Sequence, residues 1–400
     1  MKIAPRLMLG FIIFFFCGIT RSFSQITDST RYHVAVFLPL YLDSAYDAAG
    51  NYRFDQVFPK YLNPGLEFYE GLDLAMDSLR KKNVPLDITV YDTRSTTKTV
   101  QQILSEPAFS KTQLIIGLVN VTELRLLAGA AKNREIPFIN VNFPNDGGVT
   151  LNPEFIILNS TLLAHCEAIY KFIQRNWATS DIFYVRRSTQ DDDRLRTYYA
   201  DIEKKTASVP LKMKYVNMDN NQDFNRLIAS MDSNRKTVIV VGSLDENFGK
   251  SVCAKLAPYN KSYQMKMVGT PTWDAIADFN TPAYSDEQIY YTTPFYINPV
   301  DSLVISIQQY FKTRFYSRPS DMVYRGYETI LHFGQLLSAH QGRLDGSIGE
   351  RKYIVFNDFD IQPVFTNSGA GSPPVMTLQY LENKKLYFIK KVNGNVVAVY

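Results

Sequence analysis

At 400 residues the chain is too long for one compact core and suits two α/β lobes. Its 46% hydrophobic and 20% charged residues exclude a disordered chain, while 26 Tyr and 26 Phe can pack as core or stack on a ligand, so their number decides nothing. The net charge of +4 falls to +1 if Lys2, Arg6 and Arg21 leave with a cleaved leader, and without basic clusters it gives no electrostatic case for nucleic acid.

The chain opens on "MKIAPRLMLGFIIFFFCGITRSFSQ". A basic start, an apolar run from Leu7 to Gly18 and small residues near Ser24 are the layout of a secretory signal, residues 1–24. The run falls short of the roughly 18–20 residues that span a bilayer, which disfavours the alternative of an uncleaved anchor. Cys17 follows three phenylalanines, not the small residues of a lipid-attachment site, so acylation is not expected. Export permits a disulfide between Cys166 and Cys253, but both lie among apolar residues in helical patterns, and buried free thiols are expected.

From Tyr32 onward apolar runs alternate with helical patterns. "YHVAVFLPLYL" reads as a strand, and a tyrosine-rich loop leads to a helix with Asn63 as cap and Pro64 at its first position. Phe68, Leu72, Ala75, Met76 and Leu79 recur there on one face. "LDITVYDTR" is the second strand and 97–104 a helix. "TQLIIGLVNVTELRLLAGAAKNREIPFINVN" then holds a buried strand, a break at "GLVNVT", a helix and a fourth strand. A second series runs from "FIILNS" through a helix capped by Thr161, strands "DIFYVRR", "KMKYVNM", "TVIVVGS" and "KMVGT", and the helices between them. The last third reads as strand "QIYYTTPFYIN", helices at about 302–316 and 321–339, and β segments "YIVFNDF", "VMTLQYL", "KLYFIKKV" and "NVVAVY". Strand–helix alternation in two series predicts two doubly wound lobes with parallel sheets.

The chemistry of catalysis finds little support. Six residues separate Gly242 from Gly249 before Lys250-Ser251, where a phosphate loop has four between its glycines, and Asp245 and Glu246 would repel phosphate. Ser78-Leu79-Arg80-Lys81 lacks the partner motifs of penicillin-binding enzymes. The four histidines show no metal-ligand spacing, and no nucleophile stands beside a base. No enzyme activity, metal or cofactor is expected.

Four segments in order carry a resemblance: "VAVFLPLYLD", "VYDTRSTTKTVQQI", "LIIGLVNVTELRLLAGAAKNREIPFINVNFP" and "FKTRFYSRPSDMVYRGYETILHFGQLL". Together they resemble the type I periplasmic binding proteins, in particular the leucine/isoleucine/valine-binding branch of ABC-transport solute receptors, over nearly the whole chain from Tyr32. The resemblance implies two doubly wound parallel-sheet lobes joined by a three-crossover hinge, with an N-lobe of 32–158 and 285–345 and a C-lobe of 159–284 and 346–400. It implies a periplasmic receptor that closes on a small molecule or peptide and meets a membrane permease. The alternative is a cell-envelope protein of the same fold that regulates cell-wall synthesis through protein partners.

Ligands of open parallel sheets bind beyond the carboxyl ends of the strands. The expected site residues are therefore Tyr41, Asn120, Val121, Thr122, Asn142 and Phe143 from the N-lobe, and Arg187, Ser243, Asp245, Thr270, Trp273 and Asp274 from the C-lobe. Tyr296 joins them from a crossover. Free amides at the helix start after Gly117 would hold a carboxylate. The family has a Ser or Thr where this chain has Val121, and a small residue where it has Phe143, so the resemblance carries the lobes but not the amino-acid clamp.

Overall fold

The computed structural model describes residues 31–55, 57–284, 287–367, 376–392 and 395–399. The expected signal, residues 1–24, lies outside them. The first series comprises β1 (Tyr32–Leu38), a single turn α1 (Leu42–Ala45), α2 (Asn63–Lys81), β2 (Leu86–Asp92), α3 (Val100–Leu104), β3 (Leu114–Gly117), α4 (Val121–Arg134), β4 (Phe138–Asn140) and β5 (Phe155–Ile157). The second comprises α5 (Leu162–Trp177), β6 (Asp181–Arg186), α6 (Gln190–Lys205), β7 (Met213–Asn217), α7 (Asn221–Ala229), β8 (Thr237–Val241), α8 (Glu246–Leu256), the short α9 (Asn260–Tyr263), β9 (Lys266–Val268) and β10 (Ile289–Thr293). Then come α10 (Ser302–Arg314), α11 (Asp321–Ala339) and four strands, β11 (Ile361–Asn367), β12 (Met376–Asn383), β13 (Tyr387–Val392) and β14 (Asn395–Val399).

Two seven-stranded sheets result, in the orders β11-β12-β5-β4-β3-β1-β2 and β14-β13-β10-β9-β8-β6-β7. Their central strands are parallel, and β3 and β8 are buried along their whole length, as strands covered on both faces must be. In the first lobe α2, α10 and α11 cover one face and α3 with α4 the other. In the second lobe α7 and α8 cover one face, α5 and α6 the other.

The sheet ladders divide the chain differently from the expected boundaries. β10 lies in the second sheet, between β9 and β13, while β11 and β12 extend the first sheet beyond β5. Only β13 and β14 of the terminal strands belong to the second lobe. Alternating apolar residues announce a strand without saying which open edge receives it. Here that choice is fixed by Asn383, whose side-chain amide donates to the Leu158 carbonyl at 3.2 Å while its own carbonyl accepts from Ser160 Oγ at 2.6 Å. The chain thus passes between the lobes at 158–161, 294–301 and 384–386.

Two local expectations also change. Asn63 is not a side-chain cap, because the 3-10 turn Lys60–Leu62 runs straight into α2 and leaves no extended residue to cap it. "YIVFNDF" forms no strand: Phe356 and Phe359 pack against α11, and the Phe356 and Asn357 N–H groups donate to Glu328. Thr161 does cap α5, accepting from Ala164 N–H.

Cys166 and Cys253 are free and buried in the second lobe. Burial pushes the Cys166 thiol up to about 12 and the Cys253 thiol well above its usual value. Thiolate is the reactive species, so neither thiol should react with Ellman's reagent in the folded chain. Both should titrate once denaturant exposes them; fast labelling of the native chain would contradict this packing.

Candidate functional site

In the first lobe the expected helix start is already furnished with an anion. Asn120 Oδ1 accepts from the Glu123 N–H at 3.0 Å, and Glu123 Oε2 accepts from the Asn120 N–H at 2.9 Å, a reciprocal capping box. Glu123 is buried, and its other oxygen pairs with Arg94 at 2.8 Å. The chain's own carboxylate therefore meets the positive end of α4. Val121 is half-buried and Thr122 exposed in the first turn.

The neighbouring loops are sewn to one another. The Asn142 side chain accepts from Val119 N–H at 2.9 Å and donates to the Val119 carbonyl at 3.2 Å. Asn140 makes the same exchange with the Phe143 backbone, at 3.0 and 2.7 Å, while the Phe143 ring leans on the core under α4. Tyr41 has a left-handed backbone, φ 56°, held because Asp92 accepts from the N–H groups of Leu40, Tyr41, Leu42 and Arg94. Its ring meets Tyr61 edge-on at 5.0 Å, and Arg94 lies over it at 5.8 Å. Arg94 thus joins Tyr41 to Glu123 and the Asn120 cap.

In the second lobe Arg187 gathers two other expected residues and one further ring. It pairs with Asp245 at 2.8 Å, donates to Ser243 Oγ at 3.3 Å and lies 5.0 Å over the Phe248 ring. Asp245 caps α8 through the Asn247 and Phe248 N–H groups; the bond from Phe248, together with Arg187, holds its carboxyl below the usual range despite some desolvation. Thr270 Oγ1 donates to the Ser243 carbonyl at 3.0 Å. Trp273 is fully buried against Gly249 and Gly269, where a Cβ would collide with its indole.

Asp274 and Tyr296 lie elsewhere, on a cavity of about 380 Å³ between the lobes. The second lobe contributes Asp274 and Tyr291, the crossover Phe295 and Tyr296, and the first lobe Arg325 and Glu328 from α11. Asp274 accepts from the Tyr291 hydroxyl at 2.7 Å. Tyr296 N–H donates to Asn357 Oδ1 at 2.7 Å, and the Asn357 amide donates to Glu328 Oε2 at 2.7 Å. Arg325 stacks on Phe295, 3.8 Å from the ring centroid, and its Nε is buried without a hydrogen-bond partner. Burial lowers the guanidinium to about 10, against the opposing pull of Asp321, Asp274 and Glu328, so it remains charged at neutral pH.

Sequence reasoning reached Asp274 and Tyr296 but not Arg325, Phe295 or Tyr291. The available signal was a cation inside the otherwise apolar stripe Val323, Tyr324, Tyr327 of α11. Among the described residues no group of His, Cys, Asp and Glu could hold a metal ion, and no helix is long and apolar enough to cross a membrane.

No protein-family model matches the chain, and no curated protein matches it. Solved structures do. A branched-chain amino acid ABC transporter protein from Rhodospirillum rubrum is 14% identical with a TM-score of 0.63, over 92% of this chain and 100% of its own. An ABC transporter substrate-binding protein from Desulfitobacterium hafniense is 13% identical with a TM-score of 0.56 over the same shares. The C-domain of Haemophilus influenzae LpoA, described as a regulator of PBP1A, is 13% identical with a TM-score of 0.55, again over 92% and 100%. These neighbours bind or regulate, and at such identities they speak for the fold. The two seven-stranded lobes and their three crossings give this chain the fold of the type I periplasmic binding proteins.

Proposed function

We propose that this chain is an exported, non-enzymatic receptor whose lobes close on a small ligand. Residues 1–24 would be removed on export, and the mature chain would work in the periplasm, delivering its ligand to an ABC-type permease. The observation that carries the reading is the cavity lined from both lobes and a crossover, with an unpaired cation inside it. A ligand there touches both lobes at once, so it stabilises the closed arrangement by its differential contacts. Of the expected strand-end residues, Tyr41, Asn120, Val121, Thr122, Asn142 and Phe143 in the first lobe and Arg187 and Asp245 in the second keep exposed surface and remain candidate contacts, whereas Ser243, Thr270 and Trp273 are buried.

A second reading rests on a separate observation. Leu42, Tyr46, Val57, Phe58, Tyr61 and Tyr69 are exposed together on the loop and helix after β1. An apolar patch of this kind suits a protein partner, which supports the alternative of a cell-envelope protein regulating wall synthesis without transport.

Thermal unfolding across metabolite classes separates the two. The receptor reading expects a ligand-dependent rise in Tm; at one hundred times Kd mass action supplies about 2.7 kcal/mol. It also expects a smaller radius of gyration in solution scattering. Unchanged melting and size across acids, peptides, sugars and amides, with an envelope protein captured through the Tyr46–Tyr69 patch, reverses the order of the two readings.

A further inference from the structure

Arg325 has no acceptor. Among the described residues it makes no hydrogen bond or ion pair, although three carboxylates stand near it. Each of two has another engagement: Glu328 takes N–H groups from Phe356 and Asn357, and Asp274 takes the Tyr291 hydroxyl. Asp321, one turn before it on α11, influences its charge from beyond ion-pair distance. A guanidinium carries five N–H donors in a rigid fork, and leaving the buried Nε–H of Arg325 unmade is unfavourable. Phe295 beneath the fork fixes its plane, the arrangement that favours bidentate capture of a planar anion.

The surroundings select the kind of anion. With Asp274 and Asp321 on the same cavity, a second negative charge on the ligand would meet repulsion. The remaining walls include Tyr291, Tyr296, Ile297 and Ile389, which suit an apolar or aromatic body. The volume of about 380 Å³ falls within the range of small-molecule sites. We infer that Arg325 anchors the carboxylate of a monoanionic ligand with an apolar or aromatic body, held between α11 and the second lobe. This inference rests on the receptor reading above and names the chemistry of its ligand.

The test uses the full mature chain with hexanoate, 3-phenylpropanoate and indole-3-acetate, each beside its amide, and phenyl phosphate as a dianion. The acids should raise Tm and compact the chain; the amides and the phosphate should not. Arg325→Met should abolish the response, and Arg325→Lys should weaken binding at least tenfold by losing the fork. Without ligand, Arg325→Met should raise Tm by a few degrees, because a partly desolvated cation without an acceptor is removed. A merely structural arginine predicts the opposite, and a lower Tm in the ligand-free variant overturns the inference, as does equal binding of acids and amides. If a neutral compound compacts wild type and Arg325→Met alike, the inference fails and the receptor reading stands. No response to any class removes both.

Discussion

Replacing Gly326 by alanine should destabilise the chain by about 2 kcal/mol or more, although alanine is the better helix former by roughly 1 kcal/mol. The reason is the seam between α2 and α11. Phe68, Leu72, Ala75 and Leu79 of α2 share one core with Val323, Tyr327, Ile330 and Leu331 of α11. Gly71 and Gly326 let the two backbones touch within it. A Cβ on Gly326 would overlap the Phe68 carbonyl oxygen, and one on Gly71 the Val323 carbonyl oxygen. Neither obstacle is a side chain that can rotate away, so relief requires separating the helices. Gly129→Ala in α4 is the internal control: its Cβ meets nothing, and the change should stabilise by up to about 1 kcal/mol. Urea unfolding reads both as a change in midpoint at constant slope. If the two alanines act in the same direction, the close approach of α2 and α11 is wrong. Gly326 lies between Arg325 and Glu328 on α11, so any surviving displacement of the helix should also shift the two side chains that line the cavity between the lobes.

The fold was legible where burial imposes periodicity. Buried parallel strands leave runs such as "TVIVV", amphipathic helices leave stripes such as Phe68, Leu72 and Ala75, and their alternation allows few topologies. Edge assignment was not legible, since β11 and β12 carry the same strand signals whichever sheet receives them; bonds from the Asn383 and Ser160 side chains to each other's stretch of backbone decide it. "YIVFNDF" looked like a strand because its apolar residues serve burial, yet the backbone amides there satisfy a side chain instead of a ladder. The site was legible only in part for a related reason. Position at a strand end says that Asn120, Asn142 and Arg187 have polar groups near the opening, but not that the chain consumes those groups itself. Arg325 escaped because reading a helix by its apolar stripe passes over a cation embedded in that stripe.

Glu328→Leu should cost about 3–5 kcal/mol, and it should do so through a loop rather than a core. The Glu328 carboxylate accepts the Phe356 N–H at 2.9 Å, the Asn357 N–H, and the Asn357 side-chain amide at 2.7 Å. Leucine would leave all three donors unmet in a buried place. Asn357 in turn accepts the Tyr296 N–H of one crossover, and the adjacent Asp358 N–H donates to Tyr387 just after another. One side chain of α11 thereby fixes two passages between the lobes. Burial pushes this carboxyl up to about 7 from its usual 4.5, although the bonds from Asn357 and Phe356 and the nearby Arg325 pull the other way. Between those two values the folded chain keeps a proton that the unfolded chain has released. Stability from this group is therefore complete below about 4.5 and lost as the pH rises through 7, by at most about 1.4 kcal/mol per unit. His165 opposes it: burial holds that ring down to about 3, so its contribution is present above 6.5 and lost as the pH falls. A wild-type pH curve mixes the two, whereas the difference between wild type and Glu328→Gln cancels His165. That difference should move against the wild type between pH 5 and pH 8 in urea unfolding. A difference independent of pH would mean that the three N–H donors keep Glu328 ionised throughout. The tie between α11 and the crossovers would then be a charged one, and the hinge would be indifferent to acid.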